Sequence, residues 1–407
     1  MLGVISQIDD DYLILKVKGS INPDNADEFA KKLIEARQKN PEKLLKIDLS
    51  ETEKISGPGL QALLELQRGE KRPVTLCNVP SDVMENINAS GMADLFRISE
   101  VIKDVQVSEN DLIGHFGTTR IYKLGNDKIL KVYADDTSAE QVICERRRGR
   151  VALKYGVPSL LSYEIVRCNG FYGLAGELSN SRSVSSLIRE SPVNITKCGM
   201  LMGQLLKKIH SVKVNPEDLP DINVLGHENI NKAAKYLHTK EIGQLIDIIN
   251  LIPESDYMIH GNFSSRYAFV HGDHCMAGGF MWLARGNYLF DLGVIYMTHI
   301  LCGEFLAKPL TGIEADDAKQ LCQMILQSYA GDSFKYKKML PFIHAVGLLN
   351  LVLFPVMFGL GEDLTEKFIA LSRRDLFPVA ENVINVLSNL SPKDDEETEK
   401  AQEQINK

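Results

Sequence analysis

The sequence contains no Cys-x-x-Cys pair. Its seven cysteines, at 77, 144, 168, 198, 275, 302 and 322, are odd in number and widely scattered. That excludes a disulfide framework and a zinc site and argues for a reducing cytoplasm. Excess positive charge is absent too: a formal net charge of -8 and a pI near 5.7 leave no electrostatic footprint for nucleic acid or an anionic membrane. No signal peptide is expected, because the N-terminus goes straight into alternating apolar residues with acidic punctuation. A long uninterrupted apolar span is also missing. The nearest approach, residues 341–360, is broken by His344, Asn350 and Pro355 and reads as a buried helix rather than a membrane segment. What is present is a chain of 407 residues, 44% hydrophobic and 25% charged, long enough for two or three domains that each bury a core.

Residues 1–103 read as a compact α/β unit. Val4, Ser6 and Ile8, then Leu13, Leu15 and Val17, alternate as two strands, and Asp24 is placed to cap an amphipathic helix burying Ala26, Phe29, Ala30, Leu33 and Ile34. A strand at 44–49 runs into a polar loop. The stretch Ile55-Ser56-Gly57-Pro58-Gly59-Leu60 then opens a helix carrying Leu60, Leu63, Leu64 and Leu66. A strand at 73–77, a short helix capped by Ser81 and an extended piece at 98–105 complete the pattern. This arrangement resembles a STAS domain, the fold of bacterial anti-sigma factor antagonists, most specifically from 48 to 66. The resemblance implies a cytoplasmic bacterial protein whose STAS surface binds a protein partner, an anti-sigma factor or a related regulator.

In that family the loop reads Asp-Ser-Ser-Gly-Leu and a partner kinase phosphorylates the second serine. The matching regulatory loop here is Ser56, Gly57, Pro58 and Gly59, with Pro58 at the phosphoacceptor position and no hydroxyl to modify. Ser56 lies two residues early and is expected to be exposed in the loop. Pro58 starts the helix where a missing N–H costs nothing. Binding without a phosphate switch is the expectation.

A polar linker, 104–112, leads into a glycine-containing stretch with Gly114 and Gly117. Lys131 follows on a strand and Glu145 on the next helix, where Arg146, Arg147, Arg148 and Arg150 read as a solvated face. A long helix, 197–211, ends in Ile209-His210-Ser211, with His210 read as a packed or capping residue. Residues 259–293 hold a His-Gly pair at 260 and 261 and close on Asp291-Leu292-Gly293. These motifs resemble the aminoglycoside-phosphotransferase and choline-kinase branch of the protein-kinase-like fold. The resemblance implies an N-lobe at 113–180, a mostly helical C-lobe at 181–390 and, beyond it, a charged tail, 391–407, too polar to pack. The fold class expected for the whole chain is an α/β STAS domain followed by an α+β bilobal protein-kinase-like domain.

Laid over the family's loop, this sequence supplies His260 and Gly261, but Asn262 stands for the catalytic aspartate, Tyr267 for the metal-binding asparagine and Gly279 for the metal-binding aspartate. Phosphoryl transfer needs a carboxylate to orient the attacking hydroxyl and oxygen ligands to hold magnesium. An amide cannot take that proton, a phenol is a poor magnesium ligand, and glycine has no side chain. In this register no catalytic residue, metal or cofactor is expected. Gly114, Gly117, Lys131 and Glu145 remain as a vestigial nucleotide site. A second register uses His271-Gly272-Asp273, with Asp273 as base, Asp291 on magnesium and a hairpin at 279–284 and 288–290. It predicts an ATP- and magnesium-dependent small-molecule phosphotransferase, although it puts Gly278 where the asparagine belongs. The first register describes a non-catalytic regulator, the second an enzyme.

Overall fold

The computed structural model describes residues 2–9, 12–99, 102–116, 119–133 and 137–390. Gly117 and the expected tail at 391–407 lie outside the described residues. The chain divides into two compact units, residues 1–106 with 165–170, and residues 107–164 with 171–407.

The first unit is built on a five-stranded sheet whose spatial order follows the sequence: Gly3–Asp9, Tyr12–Ile21, Leu44–Ile55, Thr75–Cys77 and Arg97–Ser99. The first pair is antiparallel and the others are parallel. Helices Ala26–Gln38, Gly57–Arg68 and Ser81–Ala89 connect the parallel strands, since parallel neighbours need a crossover connection. Leu13, Leu15, Ile47, Leu49, Leu63, Leu76, Phe29 and Leu33 form the dry interior. Arg37 fastens the end of the first helix, pairing with both oxygens of Glu70 at 2.6 and 2.8 Å and donating to the carbonyls of Asn40 and Lys43.

Three local expectations are corrected here. The strand expected to stop at Leu49 continues through the polar residues to Ile55, because Glu51, Thr52 and Ile55 stay in the ladder opposite Lys18, Gly19 and Ile21. Two register shifts absorb the irregularity, and Thr52 turns inward to donate to the carbonyl of Val17. The N-cap of the first helix is Asn25 rather than Asp24, held in reciprocal hydrogen bonds with Asn22. Ser81 is the first residue of its helix and Pro80 the cap.

In the second unit, strands Leu112–Phe116, Thr119–Leu124, Lys128–Val132 and Phe171–Glu177 form an antiparallel meander, the last joining beside Lys128–Val132. Helix Ala139–Lys154 follows the third strand and carries a full capping box from Ser138 and Gln141. The rest is mainly helical. Helices Ile195–His210 and Ala315–Ala330 flank the interior, and Ser333–Met357 crosses it. That last helix, 25 residues long, is apolar enough to cross a membrane, but 67% of its most apolar window is buried inside the protein. It is a core helix. The basic run on Ala139–Lys154 is not one solvated face: Arg147 and Arg150 are exposed, whereas Arg146 is buried and Arg148 turns inward.

All seven cysteines are free. Deep in the helical core, His299 sits in a π-helical turn, Met297–Leu301, its Nδ1 beside the Thr298 hydroxyl and the Ile295 carbonyl. Burial pushes its pKa down from 6.5 to about 4. Below pH 6.5 the unfolded chain takes up a proton that the folded chain refuses, so stability is full above that pH and falls toward pH 4. The loss from His299 is expected to reach about 3 kcal/mol. Urea titrations between pH 7 and 4 should therefore give a shallower decline for His299→Gln than for wild type.

Candidate functional site

Both halves of the site come from short elements pinned by the core. Met258–Ile259 pairs with Ala284–Arg285 and leads directly into the loop 260–267. Ala268–His271 and His274–Ala277 then form an antiparallel hairpin that returns the chain to Gly278 and Gly279. His271-Gly272-Asp273 is therefore the hairpin turn and His260-Gly261-Asn262 the loop.

Asp291 lies directly beneath that loop, 0% exposed. Its Oδ2 accepts from the His260 amide at 2.7 Å and its Oδ1 from the Gly261 amide at 2.7 Å, while His210 Nε2 approaches Oδ2 at 2.9 Å. The other nitrogen of His210 meets the Tyr329 hydroxyl at 2.9 Å. Burial alone would raise the carboxyl's pKa, but the His210 hydrogen bond, the electrostatic influence of His210 and His260, and the backbone amide of His260 hold it below the usual carboxylate value. This network was not legible in the sequence. Only the position of Asp291 in Asp-Leu-Gly, opening the helix Leu289–Tyr296, pointed toward it.

The second register loses its geometry here. Asp291 is spent on backbone amides, not open to a metal, and Asp273 stands on the hairpin turn with its side chain 88% exposed, paired to Lys197 at 2.7 Å. The hairpin proposed at 279–284 and 288–290 does not form; those residues fold as a 3-10 turn, Phe280–Trp282, and the start of a helix. Asp273→Ala is expected to leave the melting temperature unchanged, since the carboxylate is paired with a solvated lysine.

The positions of the first register do converge. The His260 ring is fully buried, 6.2 Å from the ring of Tyr267, 5.4 Å from Phe263 and 5.5 Å from Phe280. Its Nδ1 accepts from the Asn262 amide and its Nε2 donates to the Gly278 carbonyl, which fixes the neutral tautomer. Burial lowers its pKa, outweighing the neighbouring Asp291. Tyr267 packs on Gly279 so closely that a Cβ on that glycine would lie 2.3 Å from the ring. Gly279 also has φ +74°, a conformation that favours glycine. The phenyl ring therefore occupies the volume that a side chain at 279 would need. Burial raises the Tyr267 phenol, and Lys131, Glu145 and Arg266 all act on it electrostatically.

Between the meander and helix Ala139–Lys154, Lys131 Nζ binds both oxygens of Glu145, at 2.8 and 2.9 Å, and Tyr133 donates its hydroxyl to Glu145 at 2.7 Å. Tyr133 was not anticipated; an aromatic residue two positions after the strand lysine is the only sequence signal for it. Gly114 lies on the first strand of the meander beside a register shift, with open space where its Cβ would be. Among the described residues no cluster of three His, Cys, Asp or Glu side chains could hold a metal. In the first unit, Ser56 is half-buried rather than an exposed loop residue. It is the N-cap of Gly57–Arg68, accepting from the Gly59 amide at 3.4 Å, with Pro58 in the first turn.

Comparison with known proteins agrees with this division. A family model described as "Mlab, STAS domain" matches residues 6–99. No curated protein sequence matches the chain. Among solved structures, an ethanolamine kinase of Plasmodium vivax is 12% identical, with a TM-score of 0.48, covering 68% of this chain and 86% of its own. A choline/ethanolamine kinase family protein from Mesorhizobium loti is 12% identical with a TM-score of 0.40, covering 68% and 91%. An aminoglycoside phosphotransferase of the APH(2")-IIa type, solved with streptomycin and ATP, is 13% identical with a TM-score of 0.43, covering 66% and 91%. Residues 6–99, within the first unit, thus match a STAS domain model.

Proposed function

We propose that this protein is a non-catalytic regulator, acting through protein contacts made by its STAS domain, with a pseudokinase as its second unit. The observation that carries this reading is the Tyr267 ring packed against Gly279. It supports the loss of metal binding more strongly than the residue identities alone, because the position for a metal carboxylate is sterically filled as well as chemically empty. Asn262 removes the base; the Lys131–Glu145 pair is retained, and a phosphate partner without a base or metal ligands supports no transfer. Magnesium-dependent ATP binding and phosphoryl transfer are accordingly expected to be lacking, and no cofactor is needed.

STAS domains are in general protein-interaction modules. The surface proposed for contact is the exposed start and face of Gly57–Arg68, where Gly57, Pro58, Gln61 and Glu65 face solvent. An anti-sigma factor or related regulator in a bacterial cytoplasm is the kind of partner proposed. With Pro58 in place of a phosphorylatable serine, the contact is constitutive. The test is affinity capture of partners on the full chain, compared with Gln61→Arg. The reading expects a protein held by wild type and lost from a variant with an unchanged melting temperature. Capture that is indifferent to this face, or that requires phosphorylation of the first unit, contradicts it.

A further inference from the structure

We infer that the first unit carries a second interaction surface, the outer edge of strand Gly3–Asp9, and that its partner is a second copy of this chain. The inference goes beyond the reading above: it concerns self-association, and it stands whatever protein the helix Gly57–Arg68 binds.

An edge strand presents a row of unpaired amides and carbonyls, and soluble proteins protect such rows by shortness, lysine, proline, a bulge or a covering element. The two edges of the five-stranded sheet differ in this respect. Arg97–Ser99 is three residues long and opens on an exposed arginine. Gly3–Asp9 is seven residues long and has no lysine, arginine or proline. It keeps an unbroken register with Tyr12–Ile21, from Gly3 opposite Lys18 to Asp9 opposite Tyr12. Residues 5–8 are all exposed, Ile5 at 64% and Ile8 at 58%. Two β-branched side chains thus stand where a strand would pack against a neighbour, and none of the described strands supplies that neighbour.

The strand is complementary to itself when run antiparallel about Ser6. Val4 then falls opposite Ile8 of the second copy and Ile5 opposite Gln7, each pair occurring twice by the two-fold axis. The faces agree as well. Val4 and Ile8 lie across from Val17 and Leu13, which are buried in the core, whereas Ile5 and Gln7 lie across from Lys16 and Ile14 on the other face. Charge selects the same direction. Asp9 is the strand's one charged residue, and parallel pairing about Ser6 would set it against its own copy. Antiparallel pairing sets it opposite Gly3, whose neighbour on the next strand is Lys18.

The pairing closes at two copies, because each contributes its one long edge. The axis stands perpendicular to the sheet, so the helix layers of both copies lie on one side. One core joins all three helices to a single face of the sheet, Leu15 and Ile47 packing with Phe29, Leu63 and Ile87. Two copies of Gly57–Arg68 therefore face a partner together, the arrangement by which two weak contacts act as one strong one.

Analytical ultracentrifugation of the full chain tests this in wild type, in Ile5→Lys with Gln7→Lys, and in Ile5→Glu with Gln7→Glu. Wild type is expected to sediment as a dimer. Its dissociation constant should rise about tenfold or more in either variant, since each sets two pairs of like charges across the interface. Mixing the two variants should restore the dimer, because lysine then meets glutamate. Melting temperatures should hold, as positions 5 and 7 are exposed. If a double variant melts early, Gln7→Lys alone repeats the test, and a dimer it leaves unchanged overturns the inference. So does a monomeric wild type, a dimer indifferent to both double variants, a mixture of folded variants that stays monomeric, or growth beyond two copies.

Discussion

Asp291→Asn is expected to destabilise the second unit by about 3–5 kcal/mol, the range for breaking a buried, fully bonded charge. The carboxylate accepts from two successive backbone amides and from His210. An asparagine keeps one acceptor, but its NH2 must then face an N–H donor, leaving a buried clash of donors where a bond had been. Because Asp291 holds the loop from below, the loss should centre on residues 259–263 and on the His210–Tyr329 contact. Urea unfolding followed by fluorescence of Trp282, the chain's single tryptophan, reads this unit. Acidification should add a second signature. The folded pKa of Asp291 is depressed, so its contribution is complete above the ordinary carboxylate range and lost as pH falls through the folded value. Asp291→Asn should lack that portion of the acid limb.

Gly261→Ala is expected to cost about 4 kcal/mol or more, placing it among the exceptional single substitutions. Two penalties combine. The residue has φ +78°, and its Cβ would fall 2.1 Å from the Trp282 carbonyl oxygen and 2.9 Å from its carbon. The crowding carbonyl is backbone, at the end of the turn Phe280–Trp282 and two residues before the strand Ala284–Arg285, and cannot retreat as a side chain can. Gly279 provides the contrast, since the atoms crowding it belong to the ring of Tyr267. Gly279→Ala should therefore be less damaging in a Tyr267→Ala background than alone, whereas no side-chain truncation should rescue Gly261→Ala. The same Trp282 fluorescence curves measure all of these.

The parts of this molecule visible in its sequence are those set by local pattern. Alternation in residues 13–17 gives a strand with one buried face, the spacing of Leu60, Leu63 and Leu66 gives a helix stripe, and the order of His260, Tyr267 and Gly279 follows a loop and hairpin of fixed length. What escaped was decided by partners distant in sequence. The polar stretch at 50–54 looks like a loop until its pairing with 18–21 is known. Arg146 and Arg148 look solvated until Phe280–Trp282 folds against their helix. Asp291 could be assigned to a metal from spacing alone, because the groups that occupy it, at 210, 260 and 261, come from two separate segments. The packing of Tyr267 on Gly279 was likewise invisible, although both substitutions were legible; that they compensate one another is a property of volume.

The most direct test of the account is thermal unfolding of the full wild-type chain with and without saturating ATP and magnesium. A site with an amide at the base position and a phenol and a glycine at the metal positions should give superimposable curves. A magnesium-dependent rise in stability of about 2.7 kcal/mol, the amount conferred by a ligand at a hundred times its dissociation constant, would contradict it.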